Sequence, residues 1–87
     1  MTTVRIPQTM QVYTNNRDVV HAEGKNVRQL INDLEKAYPG MKDALVEEDK
    51  LKGDVAVMLD GKIAQLGILQ PVSEENEVIF IPAISGG

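Results

Sequence analysis

At 87 residues, with 25% charged and 43% apolar side chains, the chain has the make-up of one small soluble globular domain with a single core. A formal net charge of −4 and the absence of any lysine and arginine run exclude a phosphate backbone as a natural partner, so no nucleic acid is expected. The lack of cysteine removes disulfides, thiolate nucleophiles and thiolate metal sites, and fits a cytoplasmic location. No apolar signal core opens the chain and no apolar run reaches the length of a membrane span, so neither export nor a membrane partner is expected.

Val4 and Ile6 alternate with Thr3 and Arg5 in a first strand, which Pro7 ends because proline has no N–H for the ladder. Thr14-Asn15-Asn16-Arg17-Asp18 is a turn-rich loop, since asparagine and aspartate tolerate left-handed backbone. A second strand is predicted from Val19 to Gly24. Asn26, with Gln29 three residues on, then marks a helix start as a capping box. Val27, Leu30, Ile31, Leu34, Ala37 and Tyr38 recur at helical spacing and form one apolar stripe, while Arg28, Asn32, Asp33, Glu35 and Lys36 face water. Tyr38-Pro39-Gly40 stops this helix. A weaker helical turn covers Met41 to Val46, and Glu47-Glu48-Asp49-Lys50 reads as its solvated end.

The second half is strand-rich. Val55, Val57 and Leu59 alternate with Ala56 and Met58, and Asp60-Gly61 is a hairpin signal leading to Ile63. Leu66, Ile68 and Leu69, broken by Gly67 and closed by Gln70-Pro71, predict a short packed loop or edge segment. The last strand, Val78 to Ile81, is apolar on both faces and suits the centre of a mixed sheet. One amphipathic helix and four or five short strands in this order predict an α+β, β-grasp architecture, with the helix on one sheet face and the other face partly open for docking. The expected division is a domain over 1–82 and a flexible diglycine tail over 83–87.

Behind that last strand comes Gly86-Gly87, a carboxylate with no side chain around it. Without Cβ atoms such a tail can thread a narrow channel in another protein. Extended, Ala83 to Gly87 reaches roughly 15 to 18 Å at about 3.3 to 3.6 Å per residue. No candidate acid–base pair accompanies it, and no catalytic residue of its own is expected.

The segments Asn26–Gly40 and Glu77–Gly87 together resemble the ubiquitin-like sulfur carriers. That family includes the small subunit of molybdopterin synthase, the thiamine-pathway carrier and the carrier of thiocarboxylate-dependent cysteine synthesis. The resemblance spans nearly the whole chain. Ile81-Pro82-Ala83, with Tyr13-Thr14-Asn15-Asn16, looks most like the cysteine-type branch, whereas molybdopterin-synthase subunits often read aromatic-Pro-Pro at the first of these positions.

The resemblance implies that Gly87 is adenylated by an E1-like enzyme with ATP, and that a sulfur donor protein converts the adenylate to a thiocarboxylate for a sulfur-accepting synthase. An unactivated carboxylate, ionised at pH 7 with a reference pKa of about 3.3 to 3.7, is a poor electrophile, so the ATP step is required. Gly86 and Ser85 would thread the partner's channel, and Ile84, Ile81 and Phe80 are candidate partner contacts. No bound cofactor is expected, because the ATP belongs to the activating partner. The alternatives are a molybdopterin-synthase subunit, a ubiquitin-like protein modifier joined to targets through Gly87, and a plain interaction module. His21, with no cysteine in the chain, reads as a surface side chain. Glu47, Glu48 and Asp49 lack the spacing of a calcium loop, and no metal is expected.

Overall fold

The computed structural model describes residues 1–82. Its centre is a pair of parallel strands from the two ends of that stretch, β1 (Thr2–Arg5) and β7 (Glu77–Pro82), with Val4 opposite Val78. β2 (Val19–Ala22) lies antiparallel on the outer side of β1. On the other side β5 (Val55–Leu59) pairs antiparallel with β7, and β6 (Lys62–Ile63) continues from β5 through a hairpin. The mixed five-stranded sheet therefore runs β2-β1-β7-β5-β6. Helix α1 (Val27–Ala37) covers one face, as the alternation of strand and helix signals predicts.

Strand geometry sends alternate side chains to opposite faces. Val20, Val4 and Val78 line up across three strands, and Phe80 stands opposite Val57, so these five form the helix-facing layer. All are at most 4% exposed, against Val27, Leu30, Ile31 and Leu34 of α1 at no more than 1%. Ala37, placed on the same stripe by spacing, is exposed instead, because at 100° per residue it falls at the margin of the stripe, while Tyr38 beside it packs against the core.

The start of α1 is a modified capping box. Asn26 Oδ1 accepts from the Gln29 N–H at 2.9 Å, but Gln29 Oε1 accepts from the N–H of Lys25 at 2.8 Å and not from Asn26. Asn26 is held extended in a bridge to Pro71, which moves the reciprocal bond back by one residue. At the other end Glu35 accepts from the N–H groups of Gly40, at 3.2 Å, and Lys42, at 2.9 Å, and so caps α2 (Met41–Leu45).

Two local features depart from the sequence expectation. Residues Gln8–Thr14 form a 3-10 segment with Met10 and Thr14 buried. Glu47 to Lys50 is not a helix end but the turn of a small hairpin, β3 (Val46–Glu47) with β4 (Lys50–Leu51). Glu48 and Asp49 occupy its left-handed positions at φ 53° and 64°, where asparagine and glycine are the usual signal. Arg28 of α1 holds the turn, with Nη2 at 3.2 Å from Asp49 Oδ2. The short packed loop expected around Leu66 to Leu69 is present as a 3-10 turn, Gly67–Leu69, with Ile68 buried.

One glycine is demanded by packing. A Cβ on Gly24 would stand 2.8 Å from the Leu30 N and 2.9 Å from the Gln29 C, both helix backbone, whereas a Cβ on Gly53 would meet nothing within 4 Å. Gly24→Ala is therefore expected to lower unfolding stability by about 1–3 kcal/mol, with Gly53→Ala as the neutral control in the same urea titration. Equal midpoints for the two variants would show that the β2–α1 junction yields freely.

Candidate functional site: the end of β7 and the open sheet face

The register places several chain segments at one end of the molecule. β7 runs parallel to β1, and its last residue, Pro82, pairs with Val55 at the start of β5. The β1 ladder holds β7 as far as Ile79 and the β5 ladder holds it as far as Pro82, so the remaining residues start from a fixed point. Ile84, Ser85, Gly86 and Gly87 lie outside the described residues.

The two remaining contact candidates separate cleanly. Phe80 is completely buried opposite Val57 and belongs to the core, which corrects its assignment as a partner contact. Its neighbour Ile81, opposite Ala56 on the other face, is 38% exposed and remains available. The same uncovered face carries a row that the strand patterns alone do not single out. Ile63 of β6 stands opposite Met58 of β5, and Met58 stands opposite Ile79 of β7. Arg5 comes after Ile79 in the row, with its Nε 3.0 Å from Glu77 Oε2. The open face is thus apolar on the β5–β6 side and charged on the β1 side. The signal for this row was the out-of-core phase of each strand, which becomes visible only when the register is known.

A groove of about 790 Å³ lies beside the start of α1, lined in part by Met1, Glu23, Gln29, Asp33, Lys36 and Glu74. Its polar groups are engaged locally. The Met1 amine is 3.2 Å from Glu74 Oε1, and Asp33 Oδ2 accepts from the Glu23 N–H at 2.8 Å. Among the described residues no three His, Asp or Glu side chains are grouped to hold a metal, and His21 is exposed on the edge strand β2. No helix among them is long and apolar enough to cross a membrane.

The model of the ThiS family matches residues 4–87, nearly the whole chain and through the diglycine. The chain belongs to the ThiS family. This ThiS-family chain is also 27% identical over 90 residues to the sulfur carrier protein CysO of Mycobacterium bovis, covering 98% of this chain and 97% of that one, and equally so to CysO of Mycobacterium tuberculosis. Among solved structures it superposes on a chain of the Amycolatopsis orientalis BexX/CysO complex with a TM-score of 0.93, at 29% identity and full coverage of both chains. Crystalline Mycobacterium tuberculosis CysO gives a TM-score of 0.88 at 25% identity, covering 97% of this chain and 100% of that one. The small archaeal modifier protein 1 of Methanosarcina acetivorans, at 18% identity and a TM-score of 0.84, covering 99% of this chain and 95% of that one, shares the fold. The architecture is the ubiquitin-like β-grasp, and the protein is a sulfur carrier of the CysO/ThiS type.

The two faces of β7 predict opposite outcomes for adjacent residues. Phe80→Ala removes a fully buried ring and is expected to cost about 3–5 kcal/mol of stability. Ile81→Ala, on the open face, is expected to cost less than about 1 kcal/mol. Chemical denaturation of both variants checks this, and a reversed order would mean that the strand is turned over.

Proposed function

We propose that Gly87 is the chemical end of this carrier, adenylated by an E1-like partner and then converted to a thiocarboxylate. The observation that carries the reading is a ThiS-family match running through Gly87, on a body whose central strand ends five residues earlier at Pro82. A Gly87 carboxylate oxygen attacks the α-phosphorus of ATP and expels pyrophosphate. Sulfide-level sulfur then attacks the acyl carbon, forms the C–S bond and expels AMP, leaving a thiocarboxylate that serves as the sulfur nucleophile for an accepting synthase. ATP is bound by the partner. The carrier contributes placement, because a reactive group tethered to a docked body reacts in effect within one molecule.

The likeness to two CysO proteins favours a cysteine-type pathway over a molybdopterin-type one, and the ATP requirement favours cytoplasmic chemistry. The open face is the natural platform for the partner. Ile63 at 60% exposure and Ile81 at 38% flank Met58 and Ile79, giving apolar anchors beside the point where the chain leaves the sheet. Arg5 and Glu77 border them and restrict orientation.

Pyrophosphate release tests the reading with an E1-like enzyme from the same cells. Deleting Gly87 should abolish release. Gly86→Val should lower it by about tenfold or more without altering the unfolding midpoint, since a branched side chain blocks a channel shaped for glycine. Met58→Glu should raise the KM for the carrier while leaving kcat near the wild-type value, as loss of uniform binding does. Full pyrophosphate release from the Gly87-deleted chain would refute the assignment of the reactive carboxylate.

A further inference from the structure

The 3-10 segment Gln8–Thr14 follows β1 at the sheet end where the parallel strand β7 finishes, and its Met10 joins the core that α1 covers. Arg5 is opposite Ile79, the last pair of the parallel ladder, so the chain leaves β1 toward Gln8 at the same end at which β7 runs on to Pro82. It is tied down from within. Met10 and Thr14 are buried, Thr14 Oγ1 donates to the Arg17 carbonyl at 2.8 Å, and Gln11 Nε2 donates to the Ile6 carbonyl at 3.2 Å. The Asn16 N–H closes the segment on the Gln11 carbonyl at 2.9 Å. Tyr13 lies against Gly40, where an added Cβ would stand 3.4 Å from the ring.

On this anchored segment Val12 is 76% exposed, the most exposed large apolar side chain among the described residues, and Tyr13 is 38% exposed. Single exposed apolar residues are ordinary on a protein surface. Val12 differs in being held outward by a folded, hydrogen-bonded segment at the end from which Gly87 is reached. An apolar contact presented in this way costs little ordering when a partner covers it.

We infer that Val12 and Tyr13 form a second contact with the enzyme that adenylates Gly87, on the opposite side of the tail root from the open sheet face. The inference rests on the reading of Gly87 as the activated carboxylate. Five residues extended span at most about 18 Å, so an enzyme that holds Gly87 over the α-phosphate of ATP approaches the body at this end. On the open-face side it meets Ile81, and on the helix side it meets Val12. The partner is thus an ATP-dependent adenylating enzyme with an apolar depression beside the mouth of its tail channel.

The test uses the full chain and the adenylating enzyme purified from the source cells by its ATP-dependent pyrophosphate release on the wild-type carrier. Val12→Glu, at a site too exposed to disturb folding, should raise the KM for the carrier about tenfold or more with kcat within about twofold. Val12→Ser should move KM in the same direction, and Val12→Leu should keep the wild-type value. A wild-type KM for both Val12→Glu and Val12→Ser, with the wild-type chain activated normally, would overturn the contact and leave the role of Gly87 intact. Failure to find any activity that releases pyrophosphate on the wild-type chain would overturn both.

Discussion

The parallel pairing of β1 with β7 is the constraint on which the rest of the structure depends. Parallel neighbours cannot be joined by a tight turn and need a long crossover. Here almost the whole chain is that crossover, since β2, α1, α2 and the β5–β6 hairpin all lie between the two strands. The pairing brings Val4 beside Val78 and lets α1 cover them with Leu30, Ile31 and Leu34 in one layer. It also makes β7 a central strand, paired with β1 on one side and β5 on the other. A strand paired on both sides as far as Ile79, and with β5 as far as Pro82, makes a firm root for the residues beyond it.

That root serves the chemistry proposed for Gly87. β7 uses its two faces differently, with Val78 and Phe80 in the core and Ile79 and Ile81 on the open face. One strand thus fixes the body, displays apolar surface and sets the starting point for the segment ending in Gly86-Gly87. Burial of Phe80 and exposure of Ile81 are two consequences of one register. A change in the pairing with β5 by a single residue would exchange them and expose the core face.

Much of this was legible in the sequence because local signals agreed with the global fold. Asn26 and Gln29 mark the start of α1, Asp60-Gly61 marks the β5–β6 hairpin, and the doubly apolar last strand indicates its central place. The β3–β4 hairpin was illegible for a physical reason. Its turn uses Glu48 and Asp49 in left-handed backbone, with Arg28 of α1 bound to the turn from outside, and no short-range pattern encodes that contact. The 3-10 segment over Gln8–Thr14 has no helical or strand period, and its buried anchors Met10 and Thr14 are defined only by tertiary packing. Phe80 stood among the candidate partner contacts because all four residues from Val78 to Ile81 are apolar, and alternation alone does not choose between the two phases. Ser85, Gly86 and Gly87 were the reverse case, conspicuous in the sequence and outside the described residues, so their role stands on sequence pattern and the match to the family.

The most direct measurement of the central claim is the intact mass of the full chain after incubation with ATP, sulfide-level sulfur and the activating enzyme, beside a chain lacking Gly87. A sulfur carrier working through Gly87 gains the mass of one oxygen replaced by sulfur, only with ATP and only with Gly87 present. An unchanged wild-type mass under complete conditions, or the same gain in the chain without Gly87, would contradict it.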